Sequence, residues 1–358
     1  MRFFGMTGAL NPKVLRVDTT IAARVCFRQM THDPGTPVAG ERLASLDSAP
    51  TRLRRAGHEI LLGTAGWTDK TLTAKGVFYP RGSGSPEGRL RYYASRFPLV
   101  EVDMSYYAIP DPDMASSWAD RTPADFTFNV KAHALMTGHG TDARRLPPLI
   151  RDALPAHLAN RPHLVPADMS YELREAVWRL FAAAMQPLRD AGKLGAILLQ
   201  YPPTLQPSDR TPAILRRARE RLADLPVAVE FRHPSWLAPR MRERVWSLLR
   251  DLDMTYVVVD EPQGTRSSVP IVPAVTTPAL AVVRMHGRVS ELWGAKGASV
   301  LEKYRYLYDE GELTEWIPTI LELAENAERV HVVFNNCYAN YGVTNALEMG
   351  ALLRDQSA

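Results

Sequence analysis

The stretch Val227-Ala-Val-Glu-Phe-Arg-His233 decides the fold, because it is a strand-length run that is apolar at both parities and ends in polar residues. A strand of that kind is buried on both sides, as are the strands of parallel sheets with helical crossovers. Seven further runs share this design, and most of the eight are followed by a helix-like stretch. They begin at Ile60, Leu99, Phe126, Gly195, Thr255, Ala279 and Arg329. Eight such runs predict a closed (β/α)8 TIM-like barrel of the α/β class.

An open, doubly wound sheet is the alternative within this class. That fold normally carries a glycine-rich phosphate-binding turn, G-x-G-x-x-G, after its first strand. The first run ends in Gly63-Thr-Ala-Gly-Trp67 and lacks that spacing. The closed barrel is therefore favoured.

The barrel pattern does not cover the whole chain. Residues 1–57 are turn-rich and weakly apolar, so we interpret them as an irregular, poorly ordered N-terminal extension. Residues 58–354 then form the barrel domain. Residues 137–167 and 262–278, which follow the third and sixth runs, lack a helical period and are expected to be irregular. The first of them is interpreted as a surface excursion, with a lid over the barrel mouth as the alternative.

The composition fits one large globular domain and excludes several other classes. The chain has 358 residues, 46% of them hydrophobic, and 43 basic against 39 acidic residues give a net charge of only +4. Two cysteines far apart in sequence do not make a disulfide framework. No apolar stretch approaches the roughly 20 residues that span a bilayer, and the N-terminus has no core of signal-peptide length. A cytoplasmic protein without membrane contact is expected.

Polar residues follow strand parity and should meet at the carboxyl-terminal mouth of the barrel. Residues two apart on a strand share a face, so one inward position fixes the others. The inward sets are Glu101, Asp103 and Ser105; Asn129 and Lys131; Glu230 and Arg232; Arg284 and His286. Gln200, Asp260 and Asn336 each close a strand singly. Barrel enzymes keep their sites at this mouth, although a layer of ion pairs that only plugs the barrel is the alternative.

Seven segments in order also resemble a known family. They read GTAGWTDKTLTAKGVFYP, RLRYYASRFPLVEV, VKAHALMTGH, LGAILLQYPP, VAVEFRHPSW, VVRMHGR and FNNCYANYGVTNAL, and they cover roughly residues 60–350. The chain is therefore similar to the YecE-like family, also called domain of unknown function 72. The resemblance implies a TIM-barrel-like fold and an activity that is not established. A likeness of such proteins to metal-dependent nucleases of the endonuclease IV type is an analogy at the level of the fold.

Two positions depart from the family pattern. The family usually shows Asn-Ser-Thr-Phe-Tyr after the second strand, whereas this chain reads Asp103-Met-Ser-Tyr-Tyr107. A carboxylate thus replaces an amide at residue 103. The segment from Lys131 to His139 is one residue longer than the family pattern, so the resemblance does not place His139 at the site.

Two kinds of ligand chemistry compete for these side chains. Carboxylates and histidines that could bind a divalent metal are Glu101, Asp103, Glu230, Asp260, His233 and His286. Arg232 and Arg284 would repel such a cation, so a bound metal is disfavoured and no cofactor is predicted. Lys131, Arg232 and Arg284 instead favour a phosphate or a carboxylate, with Glu230 and His286 as acid–base groups.

The sequence thus predicts an enzyme that uses acid–base chemistry on a small anionic or sugar-like substrate. The predicted catalytic residues are Lys131, Glu230 and His286. The predicted substrate-binding residues are Trp67, Asp103, Tyr107, Gln200, Arg232, His233, Arg284 and Asn336. Trp67 and Tyr107 are chosen as aromatic rings that face the ligand. A nucleic-acid-binding or phosphodiester-cleaving protein and a non-catalytic sensor or scaffold are the alternatives. Hydrolase, lyase and isomerase chemistry all stay open, as does the oligomeric state.

Overall fold

A closed barrel of parallel strands forms the centre of the molecule. The computed structural model describes residues 38, 40–265, 268–291, 293 and 299–356. The strands are β1 (Arg52–Arg55), β2 (His58–Ala65), β3 (Leu99–Val102), β4 (Thr127–Lys131), β5 (Leu194–Gln200), β6 (Val227–Glu230), β7 (Thr255–Asp260), β8 (Ala281–Met285) and β9 (Arg329–Phe334). Strands β2 to β9 run parallel in sequence order, and β2 also pairs with β9. The predicted (β/α)8 TIM-like barrel is confirmed, and each predicted run overlaps one barrel strand.

Helices follow most of the strands. They are α1 (Gly40–Ser45), α2 (Pro86–Arg96), α3 (Pro112–Asp120), α4 (Pro148–Arg151), α5 (Tyr171–Asp190), α6 (Thr211–Leu222), α7 (Pro239–Asp251), α8 (Val300–Lys303), α9 (Glu310–Asn326) and α10 (Tyr341–Asp355). The start of α2 is capped: the Ser85 side chain accepts the Gly88 N–H, and Pro86 lies in the first turn. None of the helices in the described residues is long and apolar enough to cross a membrane.

Two connections were expected to be irregular. Between β7 and β8, the described residues contain neither helix nor strand, which agrees with the proline-rich sequence. Between β4 and α5, the chain forms α4 and single helical turns at Ala143–Arg145 and Pro166–Asp168, linked by an antiparallel bridge between Thr141 and Leu164. This second connection is therefore an ordered excursion on the mouth side.

Part of the N-terminal extension is regular where irregular structure was expected. Residues 1–37 and 39 lie outside the described residues, but α1 and β1 occupy much of residues 40–55. A tight turn at Ala56 and Gly57, both with positive φ, folds β1 back onto β2 as an antiparallel hairpin. The Asn340 amide bonds both backbone groups of Val38. The hairpin and the contacts of Asn340 hold this part of the N-terminal region against the barrel domain. The predicted domain boundary at residues 57 and 58 stays a prediction.

Contacts between strands that are not neighbours identify the barrel interior. Near its lower end, His331 Nδ1 on β9 lies 3.0 Å from Asn129 Oδ1 on β4. Gly195 leaves room for this pair, because a Cβ there would lie 2.6 Å from Asn129 Oδ1 and 2.8 Å from His331 Cε1. A small apolar cluster lines the β9, β2 and β3 side. It consists of Leu61, Ala65, Leu99 and Val333, and it is separate from the main core between sheet and helices. The barrel interior therefore contains both this apolar cluster and polar side chains such as His331 and Asn129.

Candidate functional site

Glu230, the last residue of β6, is the centre of a polar cluster at the upper end of the barrel. Its carboxylate accepts hydrogen bonds from Arg284 Nη1 at 2.5 Å, Gln200 Nε2 at 2.7 Å and Arg232 Nη1 at 2.9 Å. His286 Nε2 lies 3.2 Å from the same carboxylate. Glu230 is completely buried. Groups from three strands and the residues that follow them thus converge on one carboxylate.

Arg284 on β8 joins this carboxylate to the opposite wall of the barrel. Its Nη2 and Nε donate to the two carboxylate oxygens of Glu101 on β3 at 2.5 and 3.1 Å. The guanidinium side chain is 0% exposed, so it is an ion fully removed from water. A buried ion is tolerated only when it is paired and hydrogen-bonded throughout, which the bidentate contact to Glu101 and the third bond to Glu230 achieve.

Arg232 extends the cluster towards the mouth. Its Nη2 forms an ion pair with Glu261 Oε2 at 2.9 Å, and its guanidinium lies 5.0 Å from the ring centre of Trp293. Glu261 in turn accepts the Val269 N–H at 2.6 Å. We call the whole set the Glu230 cluster. Its members are Glu101, Gln200, Glu230, Arg232, Glu261, Arg284, His286 and Asn335.

The Glu230 carboxyl group has a much lower pKa than the other two carboxyl groups of the cluster, those of Glu101 and Glu261. Burial acts to raise the pKa of Glu230, but Arg284, His286 and Arg232 together hold it well below its ordinary value. Burial raises the pKa of Glu101 to about 7, although Arg284 acts in the opposite direction. Burial likewise raises the pKa of Glu261 to about 7 against the effect of Arg232. Glu230 is therefore expected to stay ionised, whereas the raised pKa values of Glu101 and Glu261 favour their protonated forms up to a higher pH than in an exposed glutamate.

His286 is a neutral imidazole held at both nitrogens. Burial lowers its pKa to about 3, although Glu230 acts to raise it. The Asn335 amide nitrogen lies 2.9 Å from Nδ1, so Nδ1 accepts and the proton resides on Nε2, facing Glu230. This arrangement fixes the tautomer and the orientation of the ring.

We expect the His286 ring to show no titration between pH 5 and 8. Long-range ¹H–¹⁵N correlation spectra of labelled protein should show a neutral imidazole protonated at Nε2 throughout this range. The same chain unfolded in urea is the control, because unperturbed histidines titrate near pH 6.5. A midpoint for His286 inside the window in the folded protein would contradict the assignment.

The Asp103–Lys131 pair lies at the same end of the barrel and is more open to solvent. Lys131 Nζ is 3.8 Å from Asp103 Oδ1, and the side chains are 14% and 31% exposed. Asp103 Oδ1 has no hydrogen-bond partner among the described residues. The Tyr106 ring centre lies 4.9 Å from Lys131 Nζ, and the His139 ring centre lies 5.4 Å from that of Tyr106. His139, which the resemblance could not place, is thus at the mouth.

The structure brings together most, but not all, of the predicted site residues. Those in the Glu230 cluster or the Asp103–Lys131 pair are Asp103, Lys131, Gln200, Glu230, Arg232, Arg284 and His286. Tyr107 is 47% exposed and packs edge-on against Tyr106, 5.1 Å between ring centres. It therefore lies at the border of the site.

Three predicted binding residues have structural contacts outside the Glu230 cluster. Trp67 is buried in the hydrophobic core against Trp118, with ring centres 5.9 Å apart. His233 Nδ1 accepts the backbone N–H of Ser235 at the start of the turn Pro234–Leu237. Asn336 donates to the Tyr306 carbonyl and to Asn345 Oδ1, both at 2.8 Å. The binding roles predicted for these three residues stay untested, and their positions give them no support.

Sequence reasoning missed three residues of this region. Glu261 and Asn335 are cluster members, and each is adjacent in sequence to a residue that was chosen instead. Tyr304 lies over the cluster, with its ring centre 5.8 Å from that of His286 and 6.2 Å from that of Trp293. Strand parity could have found the first two, whereas Tyr304 lies directly after α8, outside the barrel strands, and has no comparable signal.

The geometry offers little to a metal ion. Within the described residues, no group of three or more His, Cys, Asp or Glu side chains is arranged to hold one. Asp260, a candidate ligand, points away from the cluster and pairs with Arg288 Nε at 3.1 Å. Arg232 and Arg284 occupy the space between the buried carboxylates.

Comparisons with known proteins identify relatives over most of the chain. A family model described as "Protein of unknown function DUF72" matches residues 61–358. The UPF0759 protein YunF of Bacillus subtilis is 31% identical over 298 residues, which are 82% of this chain and 94% of that protein. The crystal structure of a DUF72 family protein from Thermotoga maritima is 29% identical, with a TM-score of 0.64, over 82% of this chain and 99% of the other. One from Enterococcus faecalis is 27% identical, with a TM-score of 0.63, over 83% and 98%.

Proposed function

This chain belongs to the DUF72 family, and we propose that it is an enzyme that acts on a small anionic or sugar-like substrate at the carboxyl-terminal mouth of its barrel. The proposed chemistry is proton transfer and charge stabilisation by side chains of the chain itself. The names of the family and of the relatives compared above give no activity, so the proposal is supported by the site alone.

The main support for this proposal is the Glu230 cluster. TIM barrels are normally filled by layers of branched apolar side chains, and their catalytic residues lie at the carboxyl ends of the strands. Here, Glu101, Glu230 and Arg284 are charged side chains with at most 1% exposure. Buried ion pairs rarely add stability over an apolar filling, and strongly perturbed ionisable groups concentrate at functional sites. A catalytic role accounts for charges that the fold does not need.

The residues have different roles in this proposal. Lys131 is the catalytic residue that contacts the substrate, because its side chain is 14% exposed and its ammonium group lies 3.8 Å from Asp103, whose side chain is 31% exposed. Glu230 and His286 are positioning residues, since their polar atoms are occupied by partners within the protein. Glu101 holds or releases a proton near neutral pH, which keeps the charge of the cluster adjustable as the substrate changes charge.

The metal-dependent nuclease alternative receives less support. Its catalysis needs at least one divalent ion, and the described residues supply no matching ligand group. A non-catalytic sensor would also keep a ligand site at the mouth. Turnover, rather than binding alone, therefore separates it from the enzyme.

We expect the native protein to be stabilised by, and to turn over, at least one compound from a panel of sugars, sugar alcohols, sugar phosphates and sugar acids. A ligand at one hundred times its Kd adds about 2.7 kcal/mol to the free energy of unfolding, which thermal-shift measurements detect. Hits are then followed by ¹H NMR for conversion. Lys131→Met should lose turnover by about 100-fold or more, because a positioned proton donor typically contributes that much.

Lys75→Met is the matched control, since Lys75 is an exposed lysine on the loop after β2. Its turnover should equal that of the native protein. The proposal fails if no compound stabilises the native protein, or if hits bind equally well to Lys131→Met and are never converted.

A further inference from the structure

We infer that the mouth selects a neutral polyhydroxyl compound, a sugar or a sugar alcohol, and binds its hydroxyl groups between Asp103 and Lys131. The inference rests on the proposed function and narrows its two substrate classes to one. It follows from how the arginines are used, from the charge balance at the mouth and from the geometry of the Asp103–Lys131 pair.

The two arginines of the site are already occupied by carboxylates. Arg284 uses Nε and Nη2 on Glu101 and Nη1 on Glu230. Arg232 places Nη1 on Glu230 and Nη2 beside Glu261. A phosphate or carboxylate ligand that binds through a guanidinium needs N–H groups that can turn towards it. The N–H groups that these two arginines already donate become available only if a buried glutamate is displaced.

The charge balance also disfavours an anion. Glu101, Asp103, Glu230 and Glu261 are four carboxyl groups, which face the three cations Lys131, Arg232 and Arg284. The neighbouring His286 and His139 are neutral. With one proton on Glu101 or Glu261, the site is electrically neutral, so a phosphate would bring uncompensated charge. A cationic ligand would be repelled by Lys131 and Arg232, whose side chains are each 14% exposed.

The Asp103–Lys131 pair has the geometry of a hydroxyl site. The 3.8 Å between Lys131 Nζ and Asp103 Oδ1 exceeds hydrogen-bond length, and this oxygen, although itself shielded from solvent, has no partner among the described residues. A hydroxyl group both donates and accepts, so one hydroxyl can accept from the ammonium and donate to the carboxylate. Neither an ammonium nor a carboxylate ligand can do both.

Aromatic rings border this pair on one side. The Tyr106 ring lies beneath Lys131 Nζ, and the half-exposed Tyr107 ring stands edge-on to it. Ligand sites combine apolar and aromatic walls with a few placed polar groups. The C–H faces of a sugar ring match the tyrosine rings, while its hydroxyl groups match Asp103 and Lys131.

The test compares neutral compounds with their charged counterparts. Saturation-transfer NMR and calorimetry are run on the full chain with D-glucose, D-ribose and other common aldoses and alditols. Each is matched by its terminal phosphate and its aldonic acid. We expect at least one neutral compound to bind 10-fold or more tightly than its phosphate and its acid. Asp103→Asn should weaken that binding about 10-fold, because a hydrogen bond to a charged group is lost.

Asp209→Asn, an exposed aspartate on the loop after β5, is the control and should bind like the native protein. Binding of phosphates or acids alone would overturn the inference while leaving the proposed function intact. Neutral binding that is unchanged in both Asp103→Asn and Lys131→Met would overturn it as well. If neither series nor any other panel compound binds the native protein, the proposed function fails with it.

Discussion

Replacing Glu230 with alanine is expected to lower the free energy of unfolding by about 3–5 kcal/mol, the usual cost of breaking a buried ion pair by removing one partner. Glu230 is completely buried and accepts from Arg284, Arg232 and Gln200. Its loss leaves Arg284 paired with Glu101 alone and removes one of the two carboxylates that face Arg232. Urea unfolding at pH 7, followed by far-UV circular dichroism, measures the change.

Two variants separate this effect from ordinary loss of a side chain. Glu230→Gln keeps the shape and one acceptor oxygen but loses the charge, so it should be less destabilised than Glu230→Ala and still clearly weaker than native. Glu87→Ala removes an exposed partner of Arg91 on α2 and should cost less than about 1 kcal/mol. A Glu230→Ala loss no larger than that of Glu87→Ala would show that removing Glu230 does not leave an uncompensated buried charge.

The fold could be predicted from the sequence because its signal is repeated eight times. Each barrel strand is buried on both faces, so the runs from Ile60 to Arg329 stand out from the amphipathic helices between them. Parity then placed Glu101, Glu230 and Arg284 on inward faces of strands that are not neighbours. Their contacts across the interior follow from closure of the barrel alone.

The residues chosen from the sequence differ from those in the Glu230 cluster where two polar residues end a strand together. Asp260 and Asn336 were chosen, but Glu261 and Asn335 point inward. Asp260 shares its parity with Tyr256, which packs outward against Trp246 of α7. Asn335 shares its parity with His331, whose polar ring in a buried strand marks the inward face. Taking the inward reference from the middle of β9 would have pointed to Asn335 instead of Asn336.

Other parts of the site depend on tertiary contacts that no local pattern encodes. Tyr304 and Trp293 reach the cluster from outside the barrel strands, where the period of 2 does not fix the direction of a side chain. Asp103 likewise precedes a single helical turn, Met104–Tyr106, so strand periodicity does not set its 3.8 Å distance from Lys131. Sequence reasoning identified the residue types there but not their separation.

Arg284→Met is expected to cost about 3–5 kcal/mol at pH 8 and clearly less at pH 5. The substitution leaves the Glu101 and Glu230 carboxylates buried without the guanidinium between them. Burial raises the pKa of Glu101 to about 7 even with Arg284 present, so without it Glu101 holds its proton more strongly. A carboxyl group with a raised pKa in the folded state contributes stability that is present below its unfolded value near 4.5 and is lost as the pH rises through the folded value. Urea unfolding of both proteins at each pH tests this dependence.

A double variant tests whether Glu101 causes this pH dependence. Glu101→Gln combined with Arg284→Met replaces the ionisable partner with a neutral amide, so most of the additional loss at pH 8 should disappear. Arg91→Met, an exposed arginine on α2, should unfold like the native protein at both pH values. Equal destabilisation of Arg284→Met at pH 5 and pH 8 would mean that Glu101 does not take up a proton when its partner is lost. The cluster would then be a rigid plug rather than a group of side chains whose charge can adjust during a reaction.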